Sequence, residues 1–243
     1  MADSLYFING STLTSIGNAI RSVKGTTAAI PVSNFASEIS KFSSGSAPVY
    51  HTVTFKGANN ETLATYQVEH GKSITYTGKT PTSSSTLFYR WRYYVNGSLQ
   101  VTTSTINNVT SDINVTAEMM ADSIFESDFS YQDYDIHSQI ISCNTYADIM
   151  VIPRQRSNGL LIDGLTLKSN YFSSATTSIL IPDSIEHMDG SSFRNCTNLK
   201  DVYFTGTKEI WLERIATVYS YYGNQNLFLT PRIHTTDGCI INS

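Results

Sequence analysis

The stretch from Ile179 to Trp211, ILIPDSIEHMDGSSFRNCTNLKDVYFTGTKEIW, limits what this chain can fold into more than any other part of it. An apolar triplet ends in Ile181-Pro182, and a turn at Asp183-Ser184 and a lone Ile185 follow. Phe193 and Asn195-Cys196-Thr197-Asn198-Leu199 then lead into a second apolar triplet, Val202-Tyr203-Phe204. This order predicts one turn of a repeating coil: a short strand, a corner, a buried aromatic, a small buried thiol, and the next strand one rung along.

The same residues resemble the leucine-rich repeat of the BspA type, whose pattern runs IP-x-S-[VI], then Phe, then NC-T-x-L-K-x-[VI]. Pro182, Phe193, Cys196, Leu199 and the Gly206-Thr207 corner carry the resemblance, which covers about one full repeat plus flanks. It implies a short solenoid that builds a binding surface; it does not imply an enzyme. Most proteins of this family are exported adhesins. The N-terminus MADSLYFING has neither the cationic nor the long apolar region of a secretory signal, so export by that route is not expected.

Charged residues make up 15% of the 243, well under the usual quarter, and Ser, Thr and Asn take their place. A surface of hydroxyls and amides is cheap to cover with neighbouring subunits, because few charges need desolvating. The net charge of -4 offers no basic field for a phosphate backbone, so nucleic acid is not an expected partner. No run approaches the ~20 apolar residues that span a bilayer. The three cysteines form no CxxC pair, and Cys196 is expected to be a small buried hydrophobe.

Residues 1–42 read as a small helical segment. Leu5 to Ile8 is a short extended run stopped by Asn9-Gly10, and Ser11 or Thr12 is expected to cap a helix. Leu13, Ile16, Ile20 and Val23 form one stripe along that helix, and Gly25 ends it. A second short helix is expected from about Ser33, with Phe35, Ala36 and Ile39 on its apolar side. Two thin stripes cannot bury a core alone. They must dock on the rest of the chain or, as the Ser-Ser-Gly-Ser-Ala-Pro linker at 43–48 favours, on other subunits. Ala19-Ile20-Arg21, Lys24, Gly25, Ile30-Pro31 and Ile39 resemble an N-terminal segment of tail and baseplate proteins from phages of Gram-positive bacteria. That resemblance implies that this end attaches to the virion, through Leu13, Ile16, Ile20, Val23, Phe35 and Ile39.

Residues 49–119 read as a compact β domain. Strands are expected at 51–55, 63–68, 73–76, 87–95 and 113–117, with turns at Asn59-Asn60 and at the hairpin signal Asn96-Gly97. The residues Val53-Thr54-Phe55, Leu63 to Ile74, Pro81, Phe88 to Trp91 and Asp112 to Ala117 are similar to the Listeria–Bacteroides (internalin B-type) surface repeat. This is a β-grasp-like spacer module, and the resemblance makes Trp91 its core aromatic. Arg90 stands where that family usually has Gly, so the strand there is expected to be shaped differently. Strict alternation would put Phe88, Arg90, Arg92 and Tyr94 on one face of the long strand, a candidate surface for a glycan or an anionic polymer such as teichoic acid.

Residues 120–243 are expected to hold the leucine-rich-repeat domain. Asp122 to Asp135 mixes acids with aromatics, and apolar runs follow at 149–152 and 165–167. Ile152-Pro153 echoes Ile181-Pro182 29 residues earlier, as an irregular first rung would. Ile210, Leu212 and Ile215 suggest a helical turn, the tyrosines at 219, 221 and 222 are a comparable glycan candidate, and a closing strand is expected at Ile233.

No HExxH, Walker, GxSxG or EF-hand pattern is present, and the five histidines share no metal-ligand spacing. Asp133 and Asp135 near His137 could be drawn as a metal cluster, but a solvated turn explains them more simply. No catalytic residue, metal or cofactor is expected. The fold expected is mainly β and multidomain: a helical anchor, a small β-grasp-like domain and a short solenoid. The function expected is that of a non-enzymatic phage virion component in the tail, baseplate or particle surface, located on the virion. Its expected partners are other phage structural proteins, further copies of itself and a host-surface polymer, without membrane insertion. A bacterial surface adhesin is the alternative, and a cell-wall-degrading enzyme would lack a recognisable acid, nucleophile or metal.

Overall fold

A computed structural model describes residues 9–24, 27–43, 48–169, 171–189, 192–218 and 232–241. The expectations at Leu5–Ile8, Gly25, most of the linker and the tyrosines at 219, 221 and 222 lie outside these residues. The chain divides into two compact units, Met1–Val49 and Tyr50–Ser243, and is mainly β.

In the first unit, helix α1 (Gly10–Lys24) begins two to three residues earlier than Ser11 or Thr12 would allow as caps. The cap is Asn9: its side-chain oxygen accepts the Thr12 backbone N–H at 2.8 Å and the hydroxyls of Ser11 and Thr12. After Pro31 a 3-10 turn (Val32–Asn34) leads into α2 (Phe35–Ser43). The Phe35 ring lies over Gly17, where an added Cβ would come within 3.1 Å of it, so the glycine gives the ring a close seat on α1.

The second unit opens with a five-stranded mixed sheet ordered β2-β1-β7-β4-β5, made of β1 (Tyr50–Lys56), β2 (Thr62–Glu69), β4 (Leu87–Val95), β5 (Ser98–Thr102) and β7 (Ile113–Met120). β1 and β7 pair in parallel; the other neighbours are antiparallel. Asn96 and Gly97 both have positive φ (49° and 79°), the geometry that turns β4 tightly into β5. A two-stranded ribbon of β3 (Ile74–Thr75) and β6 (Thr105–Ile106) closes one end.

After a short helix α3 (Asp122–Phe125), the chain visits two further sheets in alternation. One is ordered β13-β11-β9-β8, from β8 (Phe129–Asp133), β9 (His137–Cys143), β11 (Leu161–Ser169) and β13 (His187–Met188). The other is ordered β10-β12-β14-β15-β16, from β10 (Ile149–Val151), β12 (Ser178–Ile181), β14 (Asp201–Phe204), β15 (Arg232–Thr235) and β16 (Gly238–Ile241). Ile149 pairs in parallel with Ser178, Ser178 with Asp201, and Asp201 with Arg232; β16 returns antiparallel. Helix α4 (Lys208–Val218) follows β14, where Ile210 and Leu212 suggest a helical turn. The strands β8 and β9 occupy the stretch that shows least pattern in the sequence.

Two cores result, separated by this last sheet. Between the alternating sheets lie Ile185, Phe193, Cys196, Leu199, Val202 and Phe204, with Phe172 against Phe193 at 5.1 Å between ring centroids. Cys196 is a free thiol whose pKa burial pushes up to about 12, which makes it an inert space-filler. The opposite face of the same sheet presents Val151, Leu180 and Tyr203 to Trp91, Phe88 and Phe55 of the first sheet. Strands β12 and β14 are therefore buried on both faces, which explains their unbroken apolar runs. Residues of the expected β domain from Tyr50 onward and of the expected repeat domain share this second core, within one unit.

Candidate functional site

Strand register assembles the most concentrated polar cluster of the described residues. Asp201 pairs with Arg232 and Tyr203 with His234, so all four point toward the first sheet in two adjacent rows. Asp201 and His234 are wholly buried. Arg232 holds the carboxylate through Nε at 2.5 Å and Nη2 at 2.9 Å, and the Ser104 hydroxyl donates to it at 2.8 Å. His234 donates from Nε2 to Asp201 at 3.1 Å and from Nδ1 to the Gly78 carbonyl at 2.8 Å. Both partners are acceptors and a neutral imidazole has one N–H, so the ring is an imidazolium.

The electrostatics agree with this protonation state. Burial alone would lower the His234 pKa; the Asp201 bond, Cys239 and the Gly78 carbonyl outweigh it and raise it to about 9. Burial likewise opposes the Asp201 charge, and His234 and Arg232 together hold its pKa below the ordinary value. The imidazolium is stacked on Tyr203, with centroids 4.3 Å apart, and on Tyr76 at 5.5 Å. The Tyr203 hydroxyl accepts from the Trp91 indole at 3.2 Å and donates to the Thr103 carbonyl at 2.7 Å. Thr80 donates to the carbonyls of His234 and Thr235.

This Asp–His–Ser grouping is not a nucleophile assembly. The serine donates to the carboxylate instead of meeting the imidazole, and no member reaches solvent where a substrate could meet it. Its chemistry is that of a clamp. It draws the loops at 76–80 and 103–104 onto β14 and β15, with its buried charges paired and its hydroxyls bonded. Nothing in the sequence pattern points to it beyond a carboxylate at the head of an apolar run, Asp201 before Val202-Tyr203-Phe204.

The candidate ligand strand is only partly assembled. A bulge between Phe88 and Arg90 shifts the register, so Phe88 turns into the core at 2% exposure instead of sharing a face with the arginines. Arg90 binds Glu118 at 2.7 Å, which leaves Arg92 and Tyr94 exposed beside Val101 and Leu99 of β5. Of the candidate attachment residues, Ile20 is buried, Leu13, Ile16 and Phe35 are half-buried, and Ile39 is 48% exposed; the Val23 side chain lies outside the described residues. Asp133 is taken by Arg156, His137 stacks on Tyr134, and no group of three or more potential ligands forms a metal site among the described residues.

A surface cleft of about 640 Å³ lies over the corners at Tyr146, Tyr171 and Arg194. The Arg194 guanidinium sits 3.9 Å from the centre of the Tyr171 ring.

Compared with known proteins, the chain matches no protein-family model, no curated protein and no solved structure.

Proposed function

We propose that the chain is a non-enzymatic structural component of a phage virion, at the tail, baseplate or particle surface. Residues 1–42 anchor it, and the unit from residue 50 onward is displayed. One observation carries this reading: the two units differ in what they bury. The larger one fills two cores, whereas the described side chains of the smaller one leave Val32 and Ile39 about half exposed and seal only Gly17 and Ile20. A two-helix segment with so little of its own core is suited to completion by other subunits.

The finer architecture belongs to the same proposal. The two alternately visited parallel ladders are a short BspA-type solenoid, with Phe172 and Phe193 as its stacked rung aromatics. The sheet with parallel β1 and β7 around Trp91 is the internalin B-type, β-grasp-like module. The partners are other phage structural proteins, further copies of this chain and a polymer of the host surface. The net charge of -4 disfavours nucleic acid, and no described helix is long and apolar enough to cross a membrane.

Mass spectrometry of density-purified phage particles from the source strain tests the reading. A few to some tens of copies per particle, on the order expected for a symmetric appendage, is the predicted result. Absence from particles together with presence on the cell envelope overturns it in favour of the surface adhesin.

A further inference from the structure

Three successive connections run from the β8–β13 sheet to the β10–β16 sheet: β9 to β10, β11 to β12, and β13 to β14. Because both ladders are parallel, these corners stack at one edge, and each contributes to the cleft. The first gives Tyr146, the second Tyr171 and Ser173, the third Arg194, Asn195 and Thr197. The corners are tied to one another by fixed bonds. Thr176 donates to the Ala147 carbonyl at 3.0 Å, Thr177 to the Asp148 carbonyl at 3.2 Å, and Asn198 to the Ser174 carbonyl at 2.9 Å. The cleft is thus built before any ligand arrives.

Its lining has a definite chemistry. Tyr146 is 62% exposed, a large aromatic presented to solvent at a polar site. Arg194, whose guanidinium lies 3.9 Å from the centre of the Tyr171 ring, is the one ionic group among the described lining residues. The remaining groups are hydroxyls and an amide. About 640 Å³ is within the range of ligand sites, and the cleft is open enough for a chain to pass through.

We propose that this cleft binds an anionic saccharide: a sugar ring lies against Tyr146 while its carboxylate, or a linked phosphate, meets Arg194. Aromatic faces match the C–H face of a sugar, the hydroxyls and amide match its own hydroxyls, and the planar guanidinium matches a two-oxygen anion. A nucleic acid is a poorer fit, since a single arginine on a chain of net charge -4 faces its many phosphates. The site deepens the virion reading, resting on it only for the source of the sugar, a host-surface polymer. The test below uses purified chain and no particles, so the two fail separately.

The full chain is titrated by ligand-observed NMR with a glucuronate-containing hyaluronan tetrasaccharide, a glucosylated glycerol-phosphate trimer, and neutral chitotriose. The expected result is binding of at least one anionic probe with Kd on the order of 1 mM or tighter, and chitotriose at least about tenfold weaker. Which anionic probe binds distinguishes a uronate from a polyol phosphate. Arg194→Gln and Tyr146→Ala each weaken binding by about tenfold, and Arg194→Lys by less, because it keeps the charge but not the fork. Lys72→Gln, an exposed lysine in the turn after β2, leaves binding unchanged. Failure of both anionic probes to bind below about 10 mM, equal binding of chitotriose, or indifference to Arg194→Gln in a chain that melts normally overturns the proposal.

Discussion

The seam between the β1–β7 sheet and the β10–β16 sheet and the helical segment at the N-terminus use their residues in opposite ways. At the seam even the charges are internal: Asp201 and His234 have no exposed surface, and Trp91, Tyr203 and Ser104 have their polar atoms bonded across it. In the helical segment, the described side chains of α1 and α2 seal little beyond Gly17, under the Phe35 ring, and Ile20, and Ile39 remains half exposed. A region that pairs every buried group can fold by itself and tolerates little change within it. A region that leaves apolar side chains uncovered tolerates change in isolation and reveals its purpose only with a partner.

The largest expected effect breaks the seam. Asp201→Asn leaves Arg232 and His234 without their counter-charge and should cost about 3–5 kcal/mol in denaturant unfolding. If the loss stays below about 1 kcal/mol, the cluster is not the clamp described. A titration sharpens the same point. His234 is raised in the folded state to about 9 from an unfolded value near 6.5. Its contribution is therefore complete below about pH 6.5 and disappears as pH rises through about 9, a loss of roughly 3 kcal/mol. His234→Gln should flatten that alkaline limb. Asp201 has the opposite sign: its depressed pKa makes a contribution present above about pH 4 and lost on acidification.

The smaller effects belong to the exposed side chains. Arg92→Gln and Tyr94→Ser, on the outer face of β4, should each change stability by no more than about 0.5 kcal/mol. Ile39→Ser should be equally silent in the purified chain by thermal melting, yet should reduce incorporation into particles. A silent melt with unchanged incorporation would remove Ile39 from the attachment surface.

The two regions also differ in how legible they are in the sequence. Where one period dominates, as in Val53-Thr54-Phe55 or Ile179 to Ile181, strands and buried positions follow directly from the residues. The buried Phe193 and Cys196 were legible for the same reason, being local to one corner. Phe88 was not, because the bulge between Phe88 and Arg90 breaks the alternation and turns Phe88 into the core beside Trp91, while Arg92 and Tyr94 keep their outward face. The clamp was not legible either. Its members come from 76–80, 103–104, 201–203 and 232–235, and only strand register brings them together, a long-range property that no local window contains. The cleft lies between these extremes. Phe172 and Phe193 each precede a Thr-containing corner and a strand, a repeated signal that could have paired the two corners, but Tyr146 joins them only through the parallel ladder.

The most direct test of the division of labour is to remove residues 1–42 and follow the shortened chain both in solution and in particles. The account predicts a melt within about 2 °C of the full chain, because the seam and both cores are intact, together with loss of the chain from purified particles. A shortened chain that still assembles at the full copy number, or one that no longer folds, would contradict it.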